Sequence, residues 1–183
     1  MSEIHYRYSE LGTAAGRTIH GLAVPFGEVT EVRDSYGPPY KETFVRGAFT
    51  RTIAERGNKL RLLAQHDGRS FPIGTPVSLA ETDAGLAVAF RLSRTSAAND
   101  ALELVRDGTV TGFSIGFVPI RDRVVDGVTQ RLEVSLREVS LVAEPAYGGA
   151  QVAGIRSAQP SHNTSRVITA ENAARRYAFL KLL

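Results

Sequence analysis

At 183 residues, with 43% hydrophobic and 22% charged side chains, the chain can bury one sizeable core but is short for two domains. It has no cysteine, which excludes disulfides, thiolate metal sites and cysteine nucleophiles, and no apolar run long enough for a bilayer span or a secretory signal. A net charge of +3, without a clustered basic patch before residue 150, argues against nucleic acid as a partner.

Residues 1–16 read as a polar arm or an edge strand. Thr18–Phe26 carries an apolar series (Ile19, Leu22, Val24, Phe26) that predicts a first strand, and the Gly and Pro of residues 27–41 predict a loop. A short strand follows at Glu42–Val45. A helix is expected over Ala48–Arg56, where Phe49 and Ile53 share a face and Gly57 supplies the stop. Lys59–His66 alternates like a strand and places His66 in register with Leu60, Leu62 and Ala64. Two more strands, Thr75–Ala80 and Gly85–Leu92, are joined by a turn at Asp83-Ala84-Gly85. A helix then runs from Ser93–Ser96 to Arg106, with Gly108 as its C-terminal signal.

Thr109–Pro119 reads as a strand, Arg121–Gln130 as a hairpin with Asp126-Gly127 at its tip, and Arg131–Ala143 as a long strand. Beyond Gly148-Gly149 the composition shifts. Ala158–Thr169 has the character of a polar linker, and Ala170–Leu183 of a basic amphipathic helix. Strands dominate, which predicts an α+β, mostly β domain: an antiparallel sheet or small closed barrel with a few surrounding helices.

Three residues could carry chemistry. In Thr111–Pro119 (TGFSIGFVP), Phe113, Ile115 and Phe117 point to one face while Gly112, Ser114 and Gly116 point to the other. The serine is flanked by positions with no side chain, as close approach of a substrate backbone would require; a tight packing crossing would leave the same mark. Of the four histidines, His5 and His162 lie in the arm and the linker, and His20 is on the first strand. His66 is the one with strand support on the expected face. In Arg131–Ala143, Glu138 shares an alternating face with Leu132, Val134, Leu136, Ser140 and Val142. A buried, unpaired carboxylate there costs several kcal/mol, so a partner is expected: either His66 or an arginine such as Arg137 or Arg33. Serine, histidine and carboxylate together suit acyl transfer. The serine attacks, the histidine takes and returns the proton, and the carboxylate orients the ring. The loop after Val142 is the expected source of oxyanion N–H donors.

These motifs resemble the prohead protease family of tailed bacteriophages, whose fold is related to that of the herpesvirus assemblins. The resemblance runs from Gly21 to Tyr147 through GLAVPFGEV, ETFVRGAF, LLAQHD, GFSIGF and LREVSLVAEPAY, in that order. It implies His66 as base, Ser114 as nucleophile and Glu138 as third member, with Glu144 as a rival carboxylate for the last role. It also implies a serine endopeptidase that cleaves scaffold segments or major capsid protein propeptides, and itself, inside the assembling prohead in the host cytoplasm. Residues 17–157 are then the protease domain, between the arm at 1–16 and the linker and tail at 158–183. The assemblin resemblance suggests a homodimer.

Two rivals stand against this reading. Gly112-Phe113-Ser114-Ile115-Gly116 fits G-x-S-x-G literally, but an α/β-hydrolase esterase needs a turn and a helix after the serine and its histidine later in the chain. A non-enzymatic capsid assembly module could use the same fold. No metal or cofactor is expected, because the histidines are scattered and no clustered carboxylates occur.

Overall fold

A computed structural model of the chain describes residues 16–33 and 38–156. The arm up to residue 15, and the linker and helix expected from residue 158 onward, lie outside the described residues. Nine strands and two α-helices make up the described part. The strands are β1 (Thr18–Pro25), β2 (Thr30–Val32), β3 (Tyr40–Phe44), β4 (Leu62–Ala64), β5 (Gly74–Glu81), β6 (Gly85–Leu92), β7 (Gly112–Val125), β8 (Val128–Val142) and β9 (Val152–Arg156). The helices are α1 (Thr50–Arg56) and α2 (Ser96–Arg106).

β2 and β9 are additions to the expected strands. Each is short and borders Gly- or Pro-rich sequence, so its apolar periodicity is too brief to read. The strand and hairpin expected over 109–143 form one long antiparallel ribbon, β7–β8. It turns at Asp126 and Gly127, both with positive φ (51° and 75°), the conformation that the Asp-Gly pair favours.

The sheet runs β2-β3-β8-β4-β5-β6-β1-β9, with β7 on the other side of β8. β3 and β4 pair with β8 in parallel, and the remaining pairings are antiparallel. The sheet curls until the start of β7 meets the start of β9. There Gly112 bridges to Gln151, Phe113 N–H donates to the Ala150 carbonyl at 3.1 Å, and Val152 N–H donates to the Thr111 carbonyl at 2.9 Å.

The interior is filled by Ile19, Phe44, Phe49, Ile53, Leu60, Leu79, Phe90, Phe113, Leu136 and their neighbours. Phe44 stacks on Phe49 and meets Phe117 and Tyr147 edge-on. The N-terminus of α1 is capped from a distance. The Glu81 carboxylate at the end of β5 accepts from Gly47 N–H, Phe49 N–H and the Thr50 hydroxyl at 3.1, 2.7 and 2.8 Å, which also complements the helix dipole. Helix α2 is capped by Thr95, whose hydroxyl accepts from Ala98 N–H at 3.3 Å.

A buried polar cluster among the described residues ties the segment after β8 to the barrel. Arg131 on β8 donates to Glu42 (2.8 Å), Asp122 (2.7 Å) and the Tyr40 hydroxyl (2.7 Å), and Tyr147 donates to the other oxygen of Glu42 at 2.8 Å. Burial beside the Glu42 carboxylate pushes the Tyr147 phenol far above its usual pKa, so it stays a protonated donor.

Candidate active site

Ser114 stands on β7 directly opposite Ser140 of β8. Its neighbours Phe113 and Ile115 turn into the barrel, Phe113 fully buried, so the Ser114 side chain points outward. β7 continues as a strand to Val125. The G-x-S-x-G match is therefore not the strand–turn–helix elbow of an α/β-hydrolase.

Glu138 reaches the same outer face through a device that simple alternation does not reveal. On β8, Val134 and Leu136 are core residues, and so are Val139 and Leu141. The parity changes because Gly116 pairs with Glu138 while Phe117 pairs with Leu136, which leaves Arg137 as an extra, exposed residue. This β-bulge rotates everything beyond it by one position. The expected single face holding Leu132, Val134, Leu136, Glu138 and Ser140 is thus two faces. Val134 and Leu136, before the bulge, look inward, and Glu138 and Ser140 look outward beside Ser114.

His66 is not on a strand. β4 ends at Ala64, and Gln65 and His66 both adopt left-handed backbone, with φ of 52° and 57°. Such a conformation costs about 1–2 kcal/mol per non-glycine residue. Hydrogen bonds hold it in place. Gln65 N–H donates to the Leu141 carbonyl at 2.9 Å, His66 N–H to the Ser140 hydroxyl at 3.1 Å, Asp67 N–H to the Ala64 carbonyl at 2.9 Å, and Gly68 N–H to the His66 carbonyl at 2.9 Å. Beyond the turn, the Asp67 carboxylate accepts from Arg69 N–H and the Ser70 hydroxyl at 2.9 and 2.6 Å, and these donors lower its pKa. The support expected from a strand comes from this turn, which carries the imidazole over Ser140 toward β7.

The three side chains form a continuous chain of contacts. His66 Nε2 lies 2.8 Å from Ser114 Oγ, and His66 Nδ1 lies 2.6 Å from Glu138 Oε1. The hydrogen bond to the Glu138 carboxylate, with its charge, raises the His66 pKa above its ordinary value against the opposing pull of partial burial. An Nδ1–H that donates to Glu138 fixes the tautomer and leaves the Nε2 lone pair to accept the Ser114 hydroxyl. The cost of Glu138 is offset by His66 and by Ser140, whose hydroxyl donates to Oε2 at 2.7 Å. Arg33 and Arg137 are exposed.

Of the two readings open for the glycines beside Ser114, their contacts fit tight packing. A β-carbon at Gly112 would lie 2.6–2.8 Å from the Pro145 ring, and one at Gly116 would lie 2.5 Å from Glu138 Oε1. Glu144 is exposed beyond the end of β8, whereas Glu138 meets the histidine ring. His20 is buried on β1, and His5 and His162 lie outside the described residues. Ser140 is the site residue whose part the sequence did not disclose. Its one signal is a serine between the core residues Val139 and Leu141, two positions after Glu138. Among the described residues, no group of three His, Asp or Glu side chains is placed to hold a metal ion.

The curled, mostly antiparallel sheet is similar in fold to a herpesvirus protease. The structure of KSHV protease in complex with a hexapeptide phosphonate inhibitor matches with a TM-score of 0.54 over 92% of this chain and 77% of that chain, at 11% identity. The chain belongs to the caudovirus prohead serine protease family, whose model matches residues 2–166. It is also similar to the prohead protease of Enterobacteria phage HK97, 30% identical over 141 residues. That match covers 75% of this chain and 61% of the HK97 protein, so the chain spans less than two thirds of that relative's length.

Proposed function

We propose that the chain is a serine endopeptidase of prohead maturation, with Ser114 as nucleophile, His66 as general base and acid, and Glu138 as the residue that orients and charges the imidazole. The unbroken run from Ser114 Oγ through both His66 nitrogens to Glu138 Oε1, at 2.8 and 2.6 Å, carries this reading. His66 takes the serine proton as Oγ attacks the scissile carbonyl, and the imidazolium so formed is stabilised by Glu138. It then protonates the leaving amine. Water, activated by the same ring, releases the acyl group from Ser114.

The segment between β8 and β9 is the proposed source of oxyanion donors. It is held against the start of β7 by the Thr111 hydroxyl on the Ala143 carbonyl (3.0 Å) and by Pro145 over Gly112. Family membership supports scaffold segments and the propeptide of the major capsid protein as substrates, cleaved inside the assembling prohead in the host cytoplasm. Self-cleavage in the 158–169 linker and a homodimer belong to the same proposal.

Co-expression with the cognate capsid protein tests it. The wild-type chain should shorten the capsid protein, and Ser114→Ala, folded by circular dichroism, should leave it at full length. Persistent cleavage by Ser114→Ala would overturn the assignment. A wild-type chain that assembles with capsid protein without cutting it would establish the non-enzymatic module instead. Intact mass of an active preparation tests self-cleavage, which a full-length mass would refute.

A further inference from the structure

Ser140 is fully buried between two core residues, yet its hydroxyl is turned to the outer face and used twice. As a donor it meets Glu138 Oε2 at 2.7 Å, and as an acceptor it receives His66 N–H at 3.1 Å. The sheet register explains this position. Ser140 pairs with Ser114 on one side of β8 and with Leu63 of β4 on the other, so it lies between the serine and the turn that carries the histidine.

We infer that Ser140 is a positioning residue of this site, one hydroxyl that fixes the Glu138 carboxylate on the His66 ring and pins the His66 main chain in its left-handed turn. This rests on the proposed reading of Ser114, His66 and Glu138. A carboxylate held through one oxygen can swing about its terminal torsion. With Oε1 on Nδ1 and Oε2 on Ser140, its plane is set. A hydroxyl has one proton to give and lone pairs to accept with, and both capacities are used here with the polarity each partner needs. Neither Arg137 nor Val139 can substitute, because the bulge at Arg137 leaves Glu138 and Ser140 as the outward residues of this stretch.

Ser140→Ala removes both contacts and almost no volume. Two readouts separate positioning from general structural damage: the His66 pKa, followed by 15N NMR of its ring, and kcat against KM on a peptide substrate. Glu138 on β8 is the charged group that raises the His66 pKa. With the carboxylate free to swing, that pKa should fall toward the ordinary histidine value. In parallel, kcat should drop about 10-fold with KM little changed, the size of one charge-assisted hydrogen bond. Ser140→Thr retains the hydroxyl and should restore the raised pKa. A His66 pKa equal to wild type in Ser140→Ala, or an unchanged kcat, would overturn the inference. Should Ser140→Ala not fold, Ser140→Cys, of similar size with a weaker donor, is judged by the same two outcomes. The ring titration needs no turnover, so it judges Ser140 even for a chain that cleaves nothing. Failure of the peptidase reading would show instead as wild-type and Ser114→Ala chains with equal activity.

Discussion

Gly116 faces Glu138 across the β7–β8 ribbon so closely that a β-carbon at 116 would stand 2.5 Å from Oε1, the oxygen that His66 Nδ1 meets at 2.6 Å. The missing side chain is what lets the carboxylate lie flat against β7 and reach the ring. Gly116→Ala should therefore act on chemistry more than on folding. The obstructed atoms are the far end of a flexible side chain, so unfolding stability should change by no more than about 1 kcal/mol. Displacing that end moves it off His66, and kcat should fall on the order of 100-fold. Urea denaturation and steady-state kinetics on the same preparation check both halves. Gly112→Ala should cost stability as well as kcat, because its obstacle is the rigid Pro145 ring in the segment proposed to carry the oxyanion donors.

The acid side of the pH profile carries a second prediction. In the proposed mechanism His66 must be neutral to accept the Ser114 proton, and Glu138 raises its pKa, so activity should rise with pH through a value above the ordinary histidine pKa. Glu138→Gln removes that charge. The limb should move to lower pH while the plateau falls by about 10⁴-fold, the scale of losing a third triad member. Glu144→Gln, at an exposed position, should leave both features in place. For stability the sign is opposite. A raised folded-state pKa stabilises the fold below the unfolded histidine pKa, and that contribution is lost as pH rises through the folded value. With the His66 side chain 43% exposed, the stability effect should be small beside the kinetic one.

The buried cluster on the other side of β8 predicts stability effects. The Arg131 and Glu42 side chains are only 8% and 5% exposed. Arg131→Met strands the Glu42 carboxylate without its cation and should cost about 3–5 kcal/mol. Tyr147→Phe removes one donor from Glu42 and should cost about 1–3 kcal/mol. Because Tyr147 anchors the segment proposed to carry the oxyanion donors, kcat should fall as well. Chemical denaturation and kinetics of the two variants test this.

How far the site could be read from the chain depends on what each feature rests on. Phe113, Ile115 and Phe117 alternate without interruption, so the outward direction of Ser114 was legible, as were helix α2 and the Asp126-Gly127 turn. His66 was identified for a reason the fold does not share. Alternation from Leu60 suggests a strand, while the left-handed residues Gln65 and His66 are set by long-range hydrogen bonds to Ser140 and Leu141. Glu138 was similarly placed on the wrong face, because the bulge at Arg137 is a property of the pairing with β7 and leaves no local trace. Gly112 and Gly116 stood out correctly as positions where a side chain would intrude. What it would intrude upon, Pro145 and Glu138, is brought there by tertiary pairing alone. Ser140 had no distinguishing residue type, since a strand serine is commonplace until its two partners are in view.

The central claim is that Ser114 is a nucleophile activated by His66, and labelling with a peptidyl phosphonate tests it most directly. Intact mass should show a single adduct on the wild-type chain, mapped by peptide sequencing to Ser114. Labelling should be absent from Ser114→Ala and slowed by several orders of magnitude in His66→Ala. An adduct on another residue, or labelling of Ser114→Ala at the wild-type rate, would contradict the account.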